Sequence, residues 1–269
     1  MKPEYDLVLR TCYSDMTATY NNFKWPKKGA VEAPDWDPEP KCGKGLHGLL
    51  HGCGDAGLLY NNTKAKWLVV KILKGTSIDL KGKVKFPKGT VVYAGTKEEA
   101  VKIVAEAYPG EPVVFAVRHS GDNGVSISGD YGNSTSGDYG NSTSGIYGKS
   151  TSGIYGKSTS GYYGTSISDC RGTSISGNHG TSISGDHGTS ISGDDGKSTS
   201  GHYGKSTSGD YGISNSGYGG ISNSGIRGEL HIMWNDGFRY RTAVAYVGEN
   251  GIEPNVAYKL DYQGNFIKA

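Results

Sequence analysis

At 269 residues and 28.5 kDa the chain has room for one large or two ordinary domains, yet only 35% of it is hydrophobic. A typical globular domain runs to about 45–50%, so a conventional apolar core cannot extend along the whole length. The 28 Lys and Arg against 26 Asp and Glu leave a net charge of +2, which excludes a global field that recruits nucleic acid or an anionic membrane and leaves polyanion binding to local patches.

The N-terminus, MKPEYDLVLRTCYSD, has no apolar core of signal-peptide length, and no stretch approaches a membrane span. Cys12, Cys42, Cys53 and Cys170 form neither a disulfide framework nor a CxxC pair. Together these predict a soluble protein with reduced thiols in a cytoplasm.

Residues 1–118 have ordinary composition and predict a small α+β domain. Short runs rich in β-branched and apolar residues place strands near 7–10, 67–73, 83–86, 91–94 and 112–117. One helix is well signalled: Thr96 and Glu99 make a capping box, Val101, Val104 and Tyr108 share a face, and Pro109-Gly110 stops it. The densest polar cluster, PKCGKGLHGLLHGCGDAGLL over 40–59, carries Cys42, Gly43, Gly45, His47, His51 and Cys53. Its C-x4-H-x3-H-x-C spacing matches no zinc module, and GKGLHG lacks the phosphate-loop pattern, so no metal, no cofactor and no catalytic residue is predicted.

Residues 119–228 are a repeat. From Gly121 to Gly228 the phrase G-x-x-G-x-S-[T/I]-S returns every eight residues, broken in its opening Gly only at Asp169. Gly/Ser-rich linkers drift in register, whereas this tract holds phase through thirteen octads, which predicts a β-solenoid. Eight residues close too tight a loop to enclose side chains. Two octads per coil give a flattened coil of sixteen residues and a rod on the order of 32 Å at roughly 4.8 Å per coil; three octads per coil is the alternative.

Alternation along a strand then decides what is buried. Ser126 and Ser128 share one face, and the opposite face includes Lys149, Lys157, Lys197 and Lys205, whose ammonium groups do not belong inside so thin a coil. The two Ser rows are therefore expected inside, and the Thr/Ile row, including Thr135, Thr143, Thr151 and Thr159, outside as a flat ladder. The competing arrangement buries Thr/Ile and exposes Ser. Tyr131, Tyr139, Tyr147, Tyr155 and Tyr163 hold the turn position before the second Gly and are expected to stack as one aromatic ladder per edge, either as edge stabilisers or as a binding strip. Asp186, Asp194, Asp195, His179 and His187 read as solvated turn positions. Residues 229–269 predict a short β cap, with a hairpin around Asn235-Asp236-Gly237 and a strand pair around DYQGNF.

Three resemblances follow from these residues. FKWP, WLVVKI, GKVKFPKGTVVYAG and the Cys-Gly-x-Gly-Leu-His segment, with the closing AVAYVGENGIEPNVAYKLDYQGNF, look like a family of uncharacterised phage and prophage proteins in which Ser/Gly octads follow such a domain. That likeness implies a phage setting, in the host cytoplasm or the virion. GKGLH before the WLVVKI strand is similar to a Gly-x-Gly-Ile-Tyr-Phe segment of ADP-ribosyltransferases, which implies NAD held near Gly43, Gly45 and His47. The octads resemble the repeats of bacterial ice-nucleation proteins, with their Gly-Tyr-Gly-Ser-Thr phrases, which implies stacked β-coils and an outward Thr ladder able to order water.

The expected function is a non-enzymatic β-solenoid scaffold that presents ladders of Thr/Ile, Tyr and charged side chains to a partner, a protein or a glycan. A nucleotide-handling N-terminal domain with Cys42 and His47 is the alternative, and ice or ordered-water binding a third. Oligomers through a solenoid face or the cap are compatible with each.

Overall fold

A computed structural model describes residues 4–20 and 22–269, which divide between Ala116 and Val117 into two compact units. The first is a seven-stranded antiparallel sheet with one helix. Its strands are β1 (Tyr5–Cys12), β2 (Gly29–Glu32), β3 (Leu46–Leu50), β4 (Lys66–Leu73), β5 (Ile78–Asp79), β6 (Val84–Phe86) and β7 (Lys88–Gly95), in the order β2-β7-β4-β1-β3-β6-β5. The near-continuous apolar run of β4 has a physical reason: both faces of the sheet are covered, so neighbours pointing opposite ways are both buried. Leu68, Val70 and Ile72 join Val8 and Phe86 in one core, while Trp67 and Val69 join Leu9 and Leu49 in the other.

The helix α1 (Lys97–Ala107) supplies Ala100, Val101 and Val104 to the second core. Thr96 caps it, its hydroxyl accepting the Glu99 amide, so the sequence expectation holds in detail. The strand expected at 112–117 does not form over 112–116, and only Val117 is extended, at the start of the next strand. Val113, Val114 and Ala116 are fully buried beneath the helix side of the sheet, but Phe115 takes a left-handed φ of 59° and the segment turns instead of pairing. Apolar content marked its burial, and burial was mistaken for extension.

The second unit contains the solenoid. Its short strands run from β8 (Val117–His119) to β21 (Ile221–Asn223), even-numbered ones in one sheet and odd-numbered ones in the other. Each pairs in parallel with the strand sixteen residues on, Ser134 with Ser150 and Ser142 with Ser158, so a coil contains two octads. Both Ser rows, Ser126 to Ser224, face inward with at most 6% exposure. Thr and Ile face outward, and the arrangement that buries them is excluded.

The interior is therefore polar, and hydroxyls join the two sheets across it. Ser150 Oγ lies 2.6 Å from the Thr159 carbonyl and 3.1 Å from Ser144 Oγ, both on the opposite sheet but in successive coils. One hydroxyl has one proton, so donation to the carbonyl leaves Ser144 as donor to Ser150. The same stitch recurs at Ser134, Ser142, Ser182 and Ser190.

Both glycines of the octad are packed too closely for a side chain, although Asp169 stands at one opening position. A Cβ on Gly145 would stand 2.3 Å from Asp130 Oδ1 of the previous coil, and one on Gly148 would stand 2.6 Å from Ser144 Cβ. The left-handed turn position belongs to the residue between them. Gly132 N–H donates to the Gly129 carbonyl across a four-residue turn whose third residue, Tyr131, has φ 57°. Its equivalents from Asn123 to Arg227 span 51–57°, with Gly219 at 69°. The first glycine makes room for the neighbouring coil and the second for the serine that enters its own turn, while the aromatic residue takes the conformation usually reserved for glycine.

The C-terminal end closes both sheets with antiparallel pairs. Strand β22 (Glu229–Asn235) pairs with β23 (Tyr240–Tyr246) around the expected Asp236-Gly237 turn, and β24 (Tyr258–Leu260) pairs with β25 (Phe266–Lys268). Leu230, Val247, Ile252 and Tyr258 form a small apolar core there, the first in this unit to take over from the hydroxyl interior.

Candidate functional site

Two features of the molecule have the form of sites. One is a cavity of about 500 Å³ in the N-terminal unit. It opens where β1 and β3 part company. Their ladder pairs Val8 with Leu50 and Leu9 with Leu49 and goes no further, while the other edge of β1 stays paired to β4 as far as Cys12. Arg10 stands at the split: its Nη1 donates to the His47 carbonyl at 2.6 Å, and its guanidinium lies 4.6 Å from the Trp25 ring. Gly48 sits opposite because a Cβ there would meet Val8 Cγ1 at 2.4 Å and the Leu9 carbonyl at 2.7 Å.

The four N-terminal residues singled out from sequence, Cys42, Gly43, Gly45 and His47, all line this cavity. His51 and Cys53 do not. His51 bonds Asp6 at 3.0 Å and stacks on Tyr108, and Cys53 points its thiol to the His51 carbonyl. Among the described residues no three His, Cys, Asp or Glu side chains come together as metal ligands. Gly43 and Gly45 have φ of 131° and 102°, and the Gly45 amide donates to Asp35. Lys83 Nζ lies 3.0 Å from Cys42 Sγ at the rim.

Sequence reading missed Arg10, Trp25 and Lys83. A signal was present for the first: in YDLVLRTC, Val8, Arg10 and Cys12 point to the same face, and Val8 and Cys12 are core, so an arginine stands on an apolar row. Its burial pushes the guanidinium down to about 10. His47 is pushed down to about 4, first by burial and then by the charges of Lys83, Arg10 and Lys85, so its imidazole is neutral at pH 7.

The second feature is the solenoid surface. The outward residues of each sheet form two rows. On one sheet the first row reads Val117, Asn133, Lys149, Thr165, Thr181, Lys197, Ile213. On the other it reads Val125, Asn141, Lys157, Thr173, Thr189, Lys205, Ile221, the same residue types in the same order. The second rows match likewise from Thr135 and Thr143 to Asn215 and Asn223, with Thr151 and Thr159 beside the lysines. Octads come in matched pairs, a signal legible in the sequence once octads are compared sixteen residues at a time. Each face has a central Thr/Ile patch bracketed by two lysines three coils, hence about 14 Å, apart.

The edges differ from the faces. Tyr131, Tyr147 and Tyr163 stack at 5.0–5.1 Å on one, and Tyr139 and Tyr155 at 5.1 Å on the other, as one ladder per edge. His179 continues the first ladder at 4.8 Å, and Arg171 lies over Tyr155 in the second. The aspartates beside the ladders are structural. Asp138 Oδ1 accepts the Ile154 amide at 2.8 Å, Asp186 the His202 amide and Asp194 the Asp210 amide, each one coil on. Asp186 and Asp194 are exposed turn residues, as expected, and act in addition as clamps between coils.

Comparison with known proteins agrees with this division. A domain of unknown function (DUF7666) matches residues 7–103. The repeats are similar to those of ice nucleation proteins. The chain is 40% identical to one of Pseudomonas fluorescens over 108 residues, which is 39% of this chain and 9% of that protein. It is 30% identical over 141 residues to ice nucleation protein InaU of Pantoea ananas, covering 47% and 14% of the two chains. An ice nucleation protein of Xanthomonas campestris pv. translucens is 34% identical over 105 residues, covering 38% and 7%. The chain spans about a tenth of the length of the curated relatives it matches. No solved structure matches significantly.

Proposed function

We propose that the chain is a non-enzymatic scaffold whose solenoid offers the same recognition surface twice, once on each face, to two copies of a partner. The matched rows carry this reading: a rod selected for one face has no need to repeat Asn, Lys, Thr, Thr, Lys and Ile in order on the other. Lysines are the only charged side chains on the faces between Val117 and Ile221, so the partner offers acidic groups and a flat strip that accepts Thr and Ile. Face-specific substitution tests it. Ile167→Lys with Ile183→Lys on one face leaves one partner bound per rod by light scattering; adding Ile175→Lys and Ile191→Lys leaves none. Two partners still bound to the four-fold variant would refute the reading.

Ice or ordered-water binding is the second reading, favoured by the likeness of the repeats to those of ice nucleation proteins. Freezing temperature of droplets containing the protein tests it, with the same four-fold variant as the inactive comparison. The scaffold reading also takes the phage or prophage setting as its context, and the gene neighbourhood tests that.

A further inference from the structure

The N-terminal cavity gathers more positive charge than the protein answers. Arg10 and Lys83 stand on its wall, and Lys85, only 1% exposed, lies behind His47 in the β3–β6 ladder with its ammonium on the Lys41 carbonyl. Among the described residues none of these three cations forms an ion pair with a carboxylate, whereas exposed lysines such as Lys24, Lys41 and Lys44 do. The one carboxylate among the described lining residues, Asp35, has its Oδ1 on the Gly45 amide. Proteins pair charges that they remove from water, because an unpaired one is costly.

Unsatisfied polar atoms occur at the same place. Arg10 Nε, Trp25 Nε1 and His47 Nε2 are buried polar atoms with no protein partner, and all three residues line the cavity. Against them stands an apolar wall of Phe23, Trp25, Leu46 and Leu58. About 500 Å³ is ordinary for a small-molecule pocket, and a few convergent polar groups on an apolar wall are what such pockets use to orient a ligand. His47, held neutral by burial and then by its cationic neighbours, adds a hydrogen-bonding atom without adding charge.

We propose that this cavity binds a small organic anion, whose phosphate or carboxylate is taken by the Arg10 guanidinium and the Lys83 ammonium and whose apolar body lies against Phe23, Trp25 and Leu58. The site belongs to the N-terminal unit and does not rest on the reading of the solenoid. Arg10 is the main anchor, since it is fixed by the His47 carbonyl and the Trp25 ring and keeps donors free. Lys83 closes the rim beside Cys42.

The test uses the full chain, thermal shift and isothermal titration, and four probes: inorganic phosphate, AMP, 4-hydroxybenzoate and neutral adenosine. AMP or 4-hydroxybenzoate binds, which separates the phosphate from the carboxylate source, and inorganic phosphate binds more weakly for want of the apolar contact. Adenosine does not bind. Arg10→Met abolishes binding, and Lys83→Gln weakens it about tenfold, the usual worth of one hydrogen bond to a charged group. Leu58→Trp, at an exposed wall position, blocks the cavity without touching the core, and Lys149→Gln on the solenoid leaves affinity unchanged. By NMR the bound anion raises the pKa of His47 from about 4. Binding of none of the anions, or binding indifferent to both Lys83→Gln and Leu58→Trp, would overturn the proposal. Equal affinity for inorganic phosphate would overturn its organic half.

Discussion

Truncating one inward hydroxyl measures how the solenoid is held together. Ser150→Ala removes the donor to the Thr159 carbonyl and the acceptor of the Ser144 hydroxyl. The carbonyl keeps the Ser144 backbone amide at 2.9 Å, so it is not orphaned, but the Ser144 hydroxyl is left buried with its bond lost. One lost hydrogen bond at about 1 kcal/mol and one buried group left unsatisfied at about 1–3 kcal/mol put the cost at about 2–4 kcal/mol. For a unit of this size that lowers the midpoint of thermal unfolding by about 4–16 °C. Calorimetry of the full chain reads it, and hydrogen exchange of the Ser144 amide localises it. Thr151→Ala, one residue on and facing outward, should stay within about 0.5 kcal/mol. If Thr151→Ala costs as much as Ser150→Ala, hydroxyl stitching is not what joins the two sheets.

Further expectations follow from the same geometry. Gly148→Ala forces a Cβ to within 2.6 Å of Ser144 Cβ and should destabilise the solenoid by about 1–3 kcal/mol, read by the same calorimetry. Asp138→Asn keeps a carbonyl oxygen for the Ile154 amide and should leave stability nearly unchanged, while Asp138→Ala should cost about 1 kcal/mol; equal losses would make the charge, not the clamp, the reason for that residue. His47 is depressed from its usual 6.5 to about 4 in the fold, so the unfolded chain binds more protons between those values. Stability of the N-terminal unit should accordingly be flat above pH 6.5 and fall as pH drops toward 4, and denaturant unfolding of His47→Gln should show a shallower fall across that window.

Much of the solenoid was legible without coordinates because each octad repeats one local problem. A strand alternates, a lysine cannot be buried in a thin coil, and so Ser had to lie inside and Thr outside; the pairing of Ser134 with Ser150 agrees. The helix was legible for a similar reason, since Thr96 and Glu99 act on their own neighbours. The segment 112–117 was misread because apolar content reports burial, and only packing beneath the helix decided that Phe115 turns.

What the sequence could not determine depends on residues far apart in the chain. Arg10, Trp25, His47 and Lys83 meet because β1 and β3 stop pairing after Leu9 and Leu49, a local failure of one ladder that no composition or spacing announces. The roles of Asp138 and of the opening glycines were hidden likewise, since each acts on the neighbouring coil. By itself the sequence determined the period, the turns and the side that is buried, because those rest on short-range sterics and alternation. Only the tertiary structure decided which surfaces match, which carboxylates clamp and where unanswered charge collects, because contacts across coils and strands set these.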